Sequence, residues 1–234
     1  MRYAVLGTGD VGRTIGGKLA ELGHDVVLGT RDPGATLART PEDGSGFAAW
    51  LEDRAGVRLA AFADAAAHGE VVVNATRGGA SLAALDAAGA ANLRGKILVD
   101  VANPLDTSGG GIPVLDPVNT DSLGEAIQRR FPETRVVKTL NTMNCRIMVD
   151  PGRVPGDHHV FVSGNDDGAK TAVRELLFSF GWPGAAVIDL GDIGTARGPE
   201  MVLPLWIRLW GALGHADFNF HIQGARAADG RPAD

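Results

Sequence analysis

Three glycines in the segment Gly7-Thr8-Gly9-Asp10-Val11-Gly12, directly after the apolar run Tyr3-Ala4-Val5-Leu6, are the residue types needed to hold a pyrophosphate. Gly7 permits a tight turn, Gly9 lets backbone approach a phosphate with no Cβ in the way, and Gly12 allows the following helix to pack closely. Thr30-Arg31 follows the next apolar run. A hydroxyl donor and a guanidinium fork there suit the 2′-phosphate of NADP(H), whereas an acidic residue would suit the ribose hydroxyls of NAD. Asp32 lies one position later and either turns toward a ribose or caps the Asp32-Pro33-Gly34 turn.

These groups need a strand, a helix and a second strand to place them. Residues 3–6 read as a buried first strand of a parallel sheet. Val11, Ile15, Leu19 and Leu22 recur at helical intervals, predicting a helix over 11–22 that Gly23-His24 ends, and residues 25–29 supply the second strand. The amide groups at the helix start are then donors for the pyrophosphate. With 33 glycines in 234 residues, the glycine spacing alone would be weak; its place between strand and helix gives it weight.

The alternation continues. Residues 33–45 read as an exposed connection, 47–53 and 62–68 as short helices, and 57–60, 70–74, 96–101 and 136–140 as strands. Ser81 is placed as the cap of a helix running to about Ala88, and Ser122 with Glu125 forms a capping-box spacing for a helix to about Arg130. Several strands finish in small or polar residues, which puts Asn74, Thr76, Asn103 and Asn141 along the nucleotide path; each could instead cap a helix or satisfy a turn. The segment 105–112, with Asp106-Thr107-Ser108-Gly109-Gly110-Gly111, reads as a polar loop near the cofactor.

Turn signals over 150–158 mark a boundary, giving a dinucleotide-binding domain over 1–145 and a smaller C-terminal substrate and dimerisation domain over 146–234. In the latter, 159–163 and 186–190 are expected strands, with a helix between them capped by Asp166 or Asp167. His158-His159 reads as a turn and edge strand, having no partner at a metal-ligand spacing. Trp206, Leu209, Trp210 and Leu213 recur at helical spacing behind Pro204, and this apolar surface suits domain packing, a subunit interface or the wall of a flat aromatic pocket. Residues 230–234 read as frayed.

The whole chain fits a compact soluble enzyme. It is 44% apolar with a formal charge of −6, which gives no pull toward nucleic acid or an anionic membrane. It has no uninterrupted apolar stretch of membrane-spanning length, and it starts directly on the first strand without a signal-like segment. The single Cys145 excludes an internal disulfide and fits the cytoplasm; no metal site is expected.

Together with the first two motifs, Gly23-His24, Val136-Val137-Lys138-Thr139-Leu140-Asn141-Thr142, Gly164-Asn165-Asp166-Asp167-Gly168-Ala169-Lys170, and Asp189-Leu190-Gly191-Asp192 with Ala196, Arg197 and Glu200 resemble the NADPH-dependent reductases of coenzyme F420. The resemblance spans about residues 1–210. It implies an α/β fold, a Rossmann-type parallel sheet with a smaller C-terminal α/β domain, usually dimeric. It also implies hydride transfer between NADP and a deazaflavin, coenzyme F420, in the interdomain cleft. Carried over by position, Thr8, Gly9, Asp10 and Val11 would meet the pyrophosphate, Thr30 and Arg31 the 2′-phosphate, and Ala75, Thr76 and Arg77 the nicotinamide side. The chain departs from the resemblance at Arg77-Gly78-Gly79, where the family more often has a proline and bulky apolar residues. Two other readings stay open: an NADPH-dependent reductase of a ketone, imine or flavin, and a non-catalytic NADP-binding regulator. No side chain is singled out as catalytic.

Overall fold

Short apolar runs that end in glycine, asparagine or threonine become parallel strands, and the three-and-four-residue patterns between them become the helices that cover the sheet. The structure, a computed structural model, describes residues 1–39, 46–110 and 113–224. The expectations for residues 40–45, for Gly111 and Ile112 and for 230–234 lie outside that range.

β1 (Arg2–Leu6), α1 (Asp10–Glu21) and β2 (Asp25–Thr30) form the first crossover unit. Both strands are buried after their first residue, as expected of strands covered on two faces. α1 turns Ile15 and Leu19 inward, and the amides of Gly23 and His24 close its end on the carbonyls of Ala20 and Leu19. Next come α2 (Pro33–Ala38), α3 (Phe47–Glu52), β3 (Val57–Ala61), α4 (Phe62–His68), β4 (Val71–Asn74), α5 (Gly78–Ala88), α6 (Ala90–Leu93) and β5 (Ile97–Asp100). A small hairpin, β6 (Leu105–Asp106) with β7 (Val114–Leu115), precedes α7 (Leu123–Arg130) and β8 (Arg135–Thr139). The remainder is α8 (Cys145–Val149), β9 (Val160–Gly164), α9 (Asp167–Ser179), β10 (Val187–Gly191), α10 (Arg197–Met201) and α11 (Leu203–Leu213).

Eight strands make one sheet in the order β10-β9-β8-β5-β4-β1-β2-β3. From β3 to β8 this is the 3-2-1-4-5-6 order of a Rossmann sheet, and the order reverses between β1 and β4, where such sheets open a ligand crevice. β9 runs antiparallel to β8, so strands from both sides of residue 145 share the sheet. No helix among the described residues is long and apolar enough to cross a membrane.

Four local expectations change. Residues 33–38, expected in a connection, form α2, because Asp32 accepts a hydrogen bond from the Ala35 amide at 2.9 Å and Pro33 opens the helix, outweighing the poor propensities of Gly34 and Thr36. Ser81 does not cap α5; the helix starts at Gly78, two glycines earlier than helix propensity suggests, and Ser81 is buried inside it. The polar loop at 105–112 begins with a strand of two residues, too short for any period to reveal. His158 and His159 do not lie on an edge strand, since β9 pairs on both sides and β10 is the edge.

Both histidines instead tie down the segment after α11. Asn219 donates its side-chain amide to Nδ1 of His158 at 2.9 Å, and His159 accepts the Ile222 amide on its own Nδ1 at 3.1 Å. Burial first, then His221 and His158, hold the His159 imidazole below its ordinary 6.5, against the pull of Asp157. The unfolded chain therefore takes up this proton before the folded chain does. Stability from His159 is full above pH 6.5 and is lost as pH falls below it. We expect the melting temperature to drop on acidification through that window, and His159→Asn, which keeps an acceptor without a titrating ring, to drop less. Equal slopes in the two proteins would assign the acid sensitivity to other groups.

Candidate active site

The crest of the sheet at β1 and β4 is built on close approaches that exclude side chains. Gly7 has φ +118°, a left-handed conformation that disfavours any residue with a Cβ, and its amide donates to the Gly29 carbonyl at 2.9 Å. A Cβ on Gly7 would stand 2.5 Å from the Ala75 carbonyl oxygen, and one on Gly12 would collide with the Gly7 carbonyl oxygen. Gly9 differs: a Cβ there would meet nothing within 4 Å. Two of the three glycines thus serve the chain's own packing, and the third faces open space. Gly9 is also the N-cap of α1 and no side chain caps the helix, so its first-turn amides are left for a ligand. Asp10, in that turn, is paired with Arg13 at 2.7 Å, which moderates its repulsion of an anion.

At the end of β2 the structure separates the three polar residues. Thr36 gives its hydroxyl proton to the Asp32 carbonyl at 2.8 Å, so Thr30, buried and 2.8 Å from the Thr36 oxygen, is the donor between them. The Thr30 hydroxyl is therefore committed to the β2–α2 turn. Asp32 is committed to capping α2. Arg31 is exposed and makes no hydrogen bond or ion pair among the described residues.

A cavity of about 600 Å³ opens beside the start of α1, lined among others by Val11, Thr76, Arg77, Asn103, Met143 and Trp206. Ala75, Asp10 and Cys145 also reach it, and it continues through Asp10, Asn144 and Cys145 into a larger polar groove of about 780 Å³ along α1. Of the asparagines at strand ends, only Asn103 lines the cavity. Asn103 and Asn141 hold each other: Asn103 donates to the Asn141 carbonyl at 2.8 Å and accepts from its side chain at 2.9 Å. Asn74 is fully buried, donates to Asp100 at 2.8 Å and Ser81 at 3.0 Å, and accepts the Thr76 hydroxyl at 2.7 Å. Asn74 and Asn141 thus position cavity loops from behind.

Sequence reading missed the charge cluster under this floor. Lys138 Nζ lies 2.8 Å from Asp100 and 2.8 Å from Glu200, with all three side chains at 3% exposure or less. Burial works against the lysine's charge, but Asp100 and Glu200 together outweigh it and hold its pKa above the ordinary value. For Glu200, burial outweighs Lys138 and pushes the carboxyl up. The available signal was an ionisable residue inside each of two apolar strand runs, Ile97–Asp100 and Arg135–Thr139. Met143 and Trp206 gave less notice as cavity walls, since apolar residues of that kind are usually core. Among the described residues lining the cavity, none forms a nucleophile and base in mutual hydrogen-bond contact, which suits chemistry carried between two bound molecules.

The protein family described as NADP oxidoreductase, coenzyme F420-dependent, matches residues 2–104. Two proteins named F420-dependent NADP reductase align along most of the chain. That of Methanothermobacter marburgensis is 29% identical over 213 residues, 89% of this chain and 92% of the relative. That of Methanothermobacter thermautotrophicus is 30% identical over 219 residues, 89% of each. A crystal structure from Arthrobacter sp. FB24, provisionally named an F420-dependent NADP reductase, superposes with a TM-score of 0.91 at 66% identity, covering 94% of this chain and 98% of that one.

The glycines separate folding from binding. Gly9→Ala should change stability by about 1 kcal/mol or less, since its Cβ meets no protein atom and only the N-cap preference is lost. It should still weaken dinucleotide binding by about tenfold or more, equivalent to about 1.4 kcal/mol. Gly12→Ala should lower the melting temperature without any ligand. Thermal melts with a binding titration check both, and unaltered affinity in Gly9→Ala would remove Gly9 from the site.

Proposed function

This chain belongs to the coenzyme F420-dependent NADP oxidoreductase family, and we propose that it passes a hydride between NADP(H) and the deazaflavin coenzyme F420. It is an NADP-dependent oxidoreductase; the acceptor is our assignment. The observation that carries the assignment is the cavity beside the uncapped start of α1, walled by Val11, Met143 and Trp206 and large enough for a planar ring system. The names of both Methanothermobacter relatives support extending the same acceptor to this chain.

The residues fit the nucleotide. Gly7 and Gly12 leave no room for side chains where Gly9 leaves room for a ligand, so Thr8, Gly9, Asp10, Val11 and Gly12 would hold the pyrophosphate. Arg31 would take the 2′-phosphate, with Thr30 shaping the turn behind it. Ala75, Thr76 and Arg77 would lie on the nicotinamide side, with Asn74, Asn103 and Asn141 fixing those loops from beneath. When bound, NADP(H) supplies the hydride at C4 of its nicotinamide. The chain's own part is orientation and exclusion of water. Trp206, Met143 and Val11 give apolar walls, and the Thr76 hydroxyl is set in place by Asn74 before any ligand arrives. Arg77, exposed and without an ion-pair partner among the described residues, would balance negative charge on the acceptor at the cavity mouth.

We assign the nucleotide to residues 1–145, and the Trp206 side of the acceptor wall and the subunit contact to residues 146–234. α11 buries only Leu203 and exposes Leu205, Trp210 and Leu213, which supports a homodimer closed through this helix. The single cysteine and the −6 charge support a cytoplasmic setting without nucleic acid or membrane partners.

NADPH oxidation followed with and without F420 tests the acceptor, and tight NADPH binding with no F420 turnover overturns it. For the cofactor, Arg31→Ala should weaken NADPH by about 1–3 kcal/mol, the range for a lost charged hydrogen bond, and leave NADH nearly unchanged. Calorimetric titration of both cofactors reads the difference; equal losses would mean that Arg31 contacts a phosphate the two share.

A further inference from the structure

The Lys138 ammonium spends its three donors on three different segments of the cavity's surroundings. One goes to Asp100 on β5, one to Glu200 on α10, and one to the carbonyl of Ala102, itself a cavity-lining residue. Each branch continues. Asp100 accepts the Asn74 side chain at 2.8 Å on its other oxygen, and Asn74 accepts the Thr76 hydroxyl at 2.7 Å, so two relays lead from the ammonium to the loop at 75–77. Glu200 accepts the amides of Leu123 at 2.9 Å and Gly124 at 3.1 Å, capping α7 with a side chain from another helix. α10 passes into α11 through Val202, which keeps helical dihedrals and whose carbonyl accepts the Trp206 amide at 3.0 Å. Arg197 adds a second tie, pairing with Glu125 of α7 at 2.6 Å.

A buried ion cluster of this kind is a poor stabiliser compared with well-packed apolar residues, because its desolvation cancels most of the attraction. What it gives instead is fixed geometry, since each partner has one arrangement that satisfies all the others.

We propose that Lys138, Asp100 and Glu200 are positioning residues that set the acceptor cavity's dimensions, by holding the Thr76 loop and the Trp206 helix to one ammonium group. Thr76 and Trp206 both line the cavity, and the cluster links the loop of the one to the helix that leads into the other. The inference rests on the cavity being the acceptor site for its kinetic consequence, but not for its structural one.

Three proteins test it: Asn74→Ala cuts the Thr76 branch; Glu200→Gln preserves shape and weakens the Trp206 branch; and Lys138→Met with Asp100→Asn removes the hub while leaving the cluster's net charge and the Glu200 cap on α7. Hydrogen–deuterium exchange, which needs no acceptor, should quicken at residues 75–80 in the first, at 203–213 and the start of α7 but not at 75–80 in the second, and at both 75–80 and 203–213 in the third. With whichever acceptor the enzyme turns over, Glu200→Gln should raise the acceptor KM about two- to thirty-fold while NADPH affinity and kcat stay near those of the parent. Asn74→Ala, which frees the loop placed on the nicotinamide side, should lower kcat with a smaller rise in acceptor KM than Glu200→Gln gives. Uniform quickening across the chain in all three proteins, or kinetic constants that fall together, would reduce the cluster to a fold element and overturn the proposal. Should the double variant not fold, Thr76→Val and Val202→Gly carry the same test from the outer ends of the two branches, and absence of the split there overturns it equally. Failure of F420 as acceptor leaves the exchange pattern untouched, so the two readings fail separately.

Discussion

An ammonium group cut off from water must find three acceptors inside the protein, and in this chain the answer to that demand joins the centre of the sheet to its last helices. Lys138 sits on β8 beside β5, so Asp100 is its lateral neighbour in the sheet register. The third acceptor comes from α10, far along the chain, and the same carboxylate satisfies two amides at the start of α7. Burial raises the Glu200 pKa while its partners keep Lys138 charged, so the cluster holds its geometry against a steep desolvation cost. The helix that carries Trp206 is thereby seated through an ionic contact of α10, which leads directly into it.

Much of the fold was legible because its signals are local. The first crossover unit, α4 and the capping of α7 and α9 by Ser122 and Asp166 all follow from periods and caps within a few residues. The starts of α2 and α5 were not, since Gly34, Gly78 and Gly79 lower the helical signal where caps and tertiary packing decide. Gly78 in particular lies against the Asn103 carbonyl, where a Cβ would collide, so its identity reflects a contact between loops and not a turn.

The site was legible in the same uneven way. The turn at Gly7 and the crest at Thr76 follow from strand ends in a doubly wound sheet. That Asn103 and Asn141 would satisfy each other, and Asn74 would reach Asp100, depends on β4, β5 and β8 being neighbours. Strand order is a tertiary fact, and a polar residue at a strand end reads alike whether it faces a ligand or another strand end. The hydroxyl of Thr30 makes the same point on a smaller scale, its donor being spent on Thr36 within the turn.

The placement of Glu200 also makes the centre of the sheet depend on a late part of the chain. The turn over Gly7, the Thr76 loop and the β5 carboxylate all precede β8 in the chain, so a growing polypeptide can form the nucleotide crest early, as N-terminal units of larger proteins generally do. Until α10 docks, the ammonium on β8 has one acceptor too few and the first amides of α7 lack theirs. Burial of the ion cluster and the placing of Trp206 on the cavity wall therefore depend on the same seating of α10, through contacts between residues widely separated in sequence.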